Sequence, residues 1–202
     1  MKYLVLLIVI LINVELTYSQ HNFQYVKKDL DYLKKYEDSL GSKKLGFVKT
    51  EVAKDYFPTA KEKTDYFPLS YIRTTDKFYP ELYIKYYYSE IDSSLLSSSY
   101  DWNIMNYVKN IKTDGKKFEK EKERKREYLA KYNSIKNEII AKYGEPSSVE
   151  EDKNSSGYFY RIKWDNTENE ILMLFKFSTK LKYLPGNIII GSYNIRVKID
   201  YK

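Results

Sequence analysis

Few residues in this chain are able to do chemistry. It has one histidine, His21, and no cysteine. A Ser-His-Asp triad, a Cys-His pair or a zinc site of Cys and His ligands would therefore have to use His21 or do without it. His21 follows directly on an apolar stretch that reads as a removable leader, and a segment so near a mature chain end is expected to fray. The sequence has neither a Gly-rich phosphate loop nor a dinucleotide fingerprint. Carboxylates remain. Glu150, Glu151 and Asp152 are consecutive, however, and alternation along an extended segment sends neighbours to opposite sides, against a convergent acid–base pair. Asp152, Asn154 and Ser156, with Gly157 behind them, look like the start of a calcium loop, but the twelfth position is Lys163, where such a loop needs a bidentate glutamate. A polar turn is the better reading. No metal, cofactor or enzymatic activity is expected.

The cations are more organised. Lys and Arg number 35 against 28 Asp and Glu, a net charge of +7. With residues 116–143 placed on a helical wheel, Lys116, Lys120, Arg124 and Lys131 share one stripe, and Glu119, Glu123 and Glu127 form an acidic stripe beside it. Nucleic-acid binding rests on phosphate neutralisation. The neighbouring acids dilute that field within one turn, so nucleic acid is not expected. The stripe suits an unknown protein partner or an envelope polyanion. A second candidate is aromatic: Asp-Tyr-Phe-Pro occurs at 55–58 and again at 65–68. Each proline pushes the preceding Phe towards extended geometry, as in a loop or strand edge. Tyr56, Phe57, Tyr66 and Phe67 could instead form a stacking platform for a sugar or peptide.

The elements that must position these residues follow from periodicity. Phe23, Val26, Leu30, Leu33 and Leu40 recur at helical spacing before Gly41, predicting an amphipathic helix over about 22–40. Leu45–Val52 and Leu69–Thr74 read as strands. Leu82, Ile84, Tyr86 and Tyr88 alternate, as do Leu96, Ser98, Tyr100 and Trp102, predicting a hairpin across the turn at Asp92. Helical spacing returns at Ile104, Val108 and Ile111. In the long helix Tyr128, Tyr132, Ile135, Ile139 and Tyr143 form the core face. Glu121 and Lys125 fall on that same face, so core contact should fade before about residue 126 and leave a projecting charged front. Gly144 and Pro146 stop the helix. Three strands follow, with Tyr158–Trp164, Ile171–Phe177 and Tyr193–Tyr201 on their apolar sides and Asn194, Arg196, Lys198 and Asp200 opposite. This predicts an antiparallel meander with one wet face and one buried face. The expected fold class is α+β: antiparallel sheet covered by amphipathic helices, with a long charged helix at about 116–143. It would form one domain over 20–202, or two similar helix-plus-meander lobes at about 20–102 and 103–202.

Leu4–Val14 is too short to cross a bilayer but suits the core of a signal peptide. Thr17 and Ser19 place cleavage after Ser19, leaving a mature chain that begins Gln20-His21. Lys2 and Glu15 cancel, so the charge stays at +7. No later segment approaches the ~20 apolar residues of a transmembrane helix. An exported chain without cysteine must hold together by packing, as is commoner in a bacterial envelope than among eukaryotic secreted proteins. The expected location is periplasmic or extracellular.

"KYGEPSS" after an amphipathic helix, a strand ending in Trp164, then "EILMLFKF" and "IRVKIDY", carry a resemblance over about 117–202. They resemble a module of small uncharacterised exported bacterial proteins, and "YYYSEIDSSLLSSSYDW" is similar to the hairpin that often precedes it. The plan is also loosely like envelope assembly modules and secreted enzyme inhibitors. The resemblance implies a helix on an antiparallel sheet and carries no functional residue. The expected function is an exported, non-enzymatic binding or structural protein of the cell envelope. A carbohydrate-binding module is the alternative, and a carboxylate-based hydrolase a third reading.

Overall fold

Alternating side chains build this molecule. The computed structural model describes residues 21–46, 50–52, 64–66, 68–74, 78–89, 91–104, 120–178, 182–184, 188–190 and 193–202. Four alternating runs of the sequence become its longest strands: β6 (Leu95–Asn103), β8 (Gly157–Asp165), β9 (Asn169–Ser178) and β12 (Tyr193–Tyr201). With β1 (Lys43–Lys44), β4 (Leu69–Arg73), β5 (Leu82–Tyr88) and β7 (Ser148–Asn154) they form one eight-stranded sheet. Its order is β1-β4-β5-β6-β12-β9-β8-β7, and every pairing is antiparallel. The small ladders β2 (Thr50–Val52) with β3 (Thr64–Tyr66), and β10 (Lys182–Leu184) with β11 (Ile188–Ile190), stand apart from it. The predicted hairpin is β5–β6, and the predicted meander is β8–β9–β12.

The expected fold class needs correction. The protein is β-rich, and it is not an α+β fold in which helices cover the sheet. Among the described residues two named helices accompany the eight-stranded sheet, α1 (Leu30–Ser39) and α2 (Lys125–Tyr143). Much of the expected first helix is extended: residues 21–29 run as a strap, and helix begins only where Asp29 Oδ1 accepts from Tyr32 N at 2.8 Å. The cause is an alternative supply of backbone hydrogen bonds, which an extended buried segment must find somewhere. Gln24 N donates to the Tyr100 hydroxyl at 2.7 Å. Arg73 Nη1 donates to the His21 and Asn22 carbonyls at 2.7 and 3.2 Å, Tyr201 to that of Gln24, and Asn169 to that of Tyr25 at 3.0 Å. Phe23 and Tyr25 enter the core while Val26, the next residue of the helical pattern, stays 47% exposed.

The first half of the chain supplies β1, β4, β5 and β6, the second half supplies the other four strands, and β6 meets β12 at the middle. One continuous core covers the front of both halves: Tyr100 and Trp102 of β6, Ile195 and Val197 of β12, Met173 and Phe175 of β9, and Tyr128, Tyr132, Ile135 and Ile139 of α2. Gly144 ends α2 at φ +78°, and its carbonyl accepts from Trp164 Nε1 at 3.0 Å. The cap and the tryptophan strand are thereby one unit. No helix among the described residues is long and apolar enough to cross a membrane.

Candidate functional site

Of the basic stripe, Lys116 lies outside the described residues, and Lys120 is exposed. Arg124, at the N-terminus of α2, is held at 2.6 Å by Glu127, at 3.2 Å by Glu121, and donates to the Tyr79 carbonyl at 2.7 Å. Its guanidinium lies over Phe78, Tyr79 and Tyr128. Burial pulls its pKa down, but Glu127 and Glu121 outweigh that and raise it. Lys131 sits over Phe78 and Trp102. The expected fade of core contact before residue 126 also needs correction. Glu121 is 4% exposed because Tyr128 donates its hydroxyl to it at 2.7 Å and Arg124 neutralises it. A carboxylate can occupy the core face once a donor and a cation meet it there.

Of the aromatic platform, Tyr56, Phe57 and Phe67 lie outside the described residues, and Tyr66 is described only as the backbone end of β3. The calcium-like string is a hairpin turn. Asn154 Nδ2 donates to Asp152 Oδ2 at 3.0 Å, and Ser156 N donates to Asn154 Oδ1 at 2.8 Å, so the string's oxygens hold the turn together. Gly157 is required there, since a Cβ would lie 2.5 Å from the Phe177 carbonyl oxygen. Asp152, Asn154 and Ser156 nevertheless line a cleft of about 210 Å3 with Phe159, Lys176 and Ser178. Phe159 pairs with Asp152 on one side and Lys176 on the other, which puts the cleft on the back of the sheet, opposite the core. Lys176 Nζ stands 5.5 Å from the centre of the Phe159 ring.

His21 is not a frayed tail. It is 4% exposed, stacked on Phe23 and edge-on to Trp102. Its Nδ1 is 2.6 Å from Glu138 Oε2, and Tyr25 donates to Glu138 Oε1 at 3.3 Å. Beside it Glu37, wholly buried, accepts from Arg73 Nη2 at 2.6 Å and from the Tyr86 and Ser42 hydroxyls. Nothing in the sequence pattern pairs His21 with Glu138, 117 residues away. The strap conformation brings them together.

The face expected to be wet is buried at its centre, at Asn194, Lys198 and Asp200 of β12 and Ser97 and Ser99 of β6. On the back of β6 and β12 the register sets Asp101 opposite Arg196, Ser99 opposite Lys198 and Ser97 opposite Asp200. Lys85 of β5 stands opposite Ser99. Arg196 Nη2 donates to Asp101 Oδ2 at 2.8 Å, and Lys198 Nζ to Asp200 Oδ2 at 2.7 Å. Burial pushes the Asp200 carboxyl above its ordinary pKa, against the opposing pull of Lys198. Burial likewise pushes the Lys85 ammonium down, with Asp101 resisting and Arg196 assisting. The alternation of Asn194, Arg196, Lys198 and Asp200 is the sequence signal for this row. The chain matches no protein-family model, and no curated protein or solved structure is significantly similar to it.

Proposed function

We propose that the chain is an exported, non-enzymatic binding protein of the cell envelope. The observation that carries this reading is the position of His21. The one imidazole in the sequence is spent inside the core, its Nδ1 on Glu138 and its ring between Phe23 and Trp102. In a chain without cysteine, that leaves acid–base or nucleophilic chemistry to carboxylates, lysines, tyrosines and hydroxyl side chains. Asp101 and Asp200 are each already bound to a cation. Export is supported by the short apolar run at Leu4–Val14 with Thr17 and Ser19 behind it. Intact-mass measurement on protein recovered outside the cytoplasm should give a chain that begins at Gln20; a chain that retains Met1 would overturn export.

A carbohydrate-binding role is favoured by the cleft. An aromatic ring, an ammonium, an amide and a carboxylate line one small open volume, the mixture that recognises a sugar's apolar face and hydroxyl edge. Fluorescence titration with soluble oligosaccharides should show saturable binding that weakens in Phe159→Ala. A flat titration across the panel would remove this role.

A further inference from the structure

We infer that Asn154 is a modification site that takes an N-linked glycan from a lipid-linked saccharide diphosphate, an inference that rests on the export reading above. Asn154-Ser155-Ser156 is the one Asn-X-Ser/Thr triplet in the chain, and such a triplet is the acceptor of N-glycosylation in exported proteins. The fold puts it where a transferase can reach. β7 ends at Asn154, β8 begins at Gly157, and Ser155 and Ser156 make the turn between them. Every residue from Ser148 to Ser156 is exposed, and β7 is the outermost strand of the sheet.

The side-chain amide is also prepared for the reaction. An amide nitrogen is a poor nucleophile because its lone pair is shared with the carbonyl. Ser156 N donates to Asn154 Oδ1 at 2.8 Å, which draws electrons to that oxygen and makes the Nδ2 protons more acidic. Asn154 Nδ2 donates in turn to Asp152 Oδ2 at 3.0 Å. The two contacts together favour loss of an Nδ2 proton, which frees the lone pair. In the transfer Nδ2 bonds the anomeric carbon of the sugar, the bond from that carbon to the phosphate oxygen breaks, and the lipid diphosphate leaves with the electron pair. The proton passes through Asp152 Oδ2 to solvent, and nothing is oxidised or reduced. The surroundings suit the product. Asp152, Asn154 and Ser156 share the cleft of about 210 Å3 with Phe159 and Lys176, so the first sugar starts beside an aromatic face and an ammonium. A hydrated glycan at this tip also screens the open edge of β7, the kind of edge that otherwise invites strand addition.

A plain turn needs the Ser156 N–H but not its hydroxyl, whereas the acceptor triplet needs the hydroxyl. The test therefore recovers the chain from outside the cytoplasm of the cell that exports it and reads the peptide holding Asn154 by mass spectrometry. A mass excess of whole sugar residues is expected, with fragment ions that place it on Asn154. Ser156→Ala should lose it, Ser156→Thr should keep it, and Asp152→Asn should lower the modified fraction several-fold. Circular dichroism checks that the variants fold. Should Ser156→Ala fail to fold, Asn154→Gln takes its place with the same expected loss. An exported chain that begins at Gln20 and carries Asn154 unmodified overturns the inference and leaves export standing. A glycan that persists in Ser156→Ala overturns the assignment to this triplet. A chain that retains Met1 overturns export, and the inference with it.

Discussion

The two faces of the sheet bury charge in different ways. On the front, each charged group is enclosed by partners from several elements. Glu37 of α1 meets Arg73 of β4, Tyr86 of β5 and Ser42, while His21 of the strap meets Glu138 of α2. On the back, the ion pairs form within the sheet itself: Asp101 with Arg196 across a ladder, Lys198 with Asp200 two residues along one strand. Carboxylate oxygens remain over. The front also has leftover atoms, Arg73 Nε and the Tyr132 hydroxyl, but its carboxylates are fully engaged. A polar cluster whose members satisfy one another holds a fold together, whereas one with surplus acceptors returns less for its burial.

The contrast can be broken most forcefully at Glu37. Glu37→Ala leaves Arg73 buried without its counter-charge, and stability to denaturant should fall by about 3–5 kcal/mol. A fall under 1 kcal/mol would mean the front network is not structural. Removing the acceptor of His21 in Glu138→Ala should cost less, about 1.5–3 kcal/mol, the range of a charge-assisted bond. A steric control lies outside both networks: Gly157→Ala drives a Cβ against the Phe177 carbonyl. It should cost about 1–3 kcal/mol through strand displacement, seen as a lower melting temperature.

The back face should respond through pH. Asp200 has a folded pKa above its ordinary value because burial penalises its charge. An acid of this kind is stabilising when protonated: its contribution is complete below the unfolded pKa and is lost as pH rises through the folded one. Subtracting the pH–stability curve of Asp200→Asn from that of the parent should isolate a term that grows as pH falls from neutrality towards 3.8. A flat difference curve would place Asp200 with the satisfied carboxylates of the front. The smallest effect is expected at exposed Lys120, where Lys120→Glu should stay within about 0.5 kcal/mol.

The long strands were legible because each carries its own alternation. β5, β6, β8, β9 and β12 all lie where apolar residues recur at every second position. β7 is not legible, since its sequence SVEEDKN has no apolar alternation and it is an exposed edge strand held by its backbone pairing with β8 and by Lys153 over the Tyr160 ring. The strap was misread for the opposite reason: Phe23, Val26, Leu30 and Leu33 do fit a helix, and only distant side chains make extended backbone cheaper. The same distance hid the candidate sites. Asn194, Arg196, Lys198 and Asp200 could be placed on one face, but which residues they meet there depends on which strands flank β12. No local pattern says that β12 pairs with β6, some ninety residues earlier, as well as with β9.

The strap also sets an order on events. Two of its carbonyls are taken by Asn169 and Tyr201, across 144 and 177 residues of chain. Contacts of such range are entropically expensive to form and come late. On a chain made from its N-terminus, Arg73 and Tyr100 are there to hold residues 21–24 early, while the Gln24 and Tyr25 carbonyls must wait for Tyr201 and Asn169. A product cut short before Tyr193 would keep Phe23 against Tyr100 and Trp102 but lose the clasp on the Gln24 carbonyl, a loosened strap on an unfinished chain. The closing contact of the strap is thus deferred until β12 has been made.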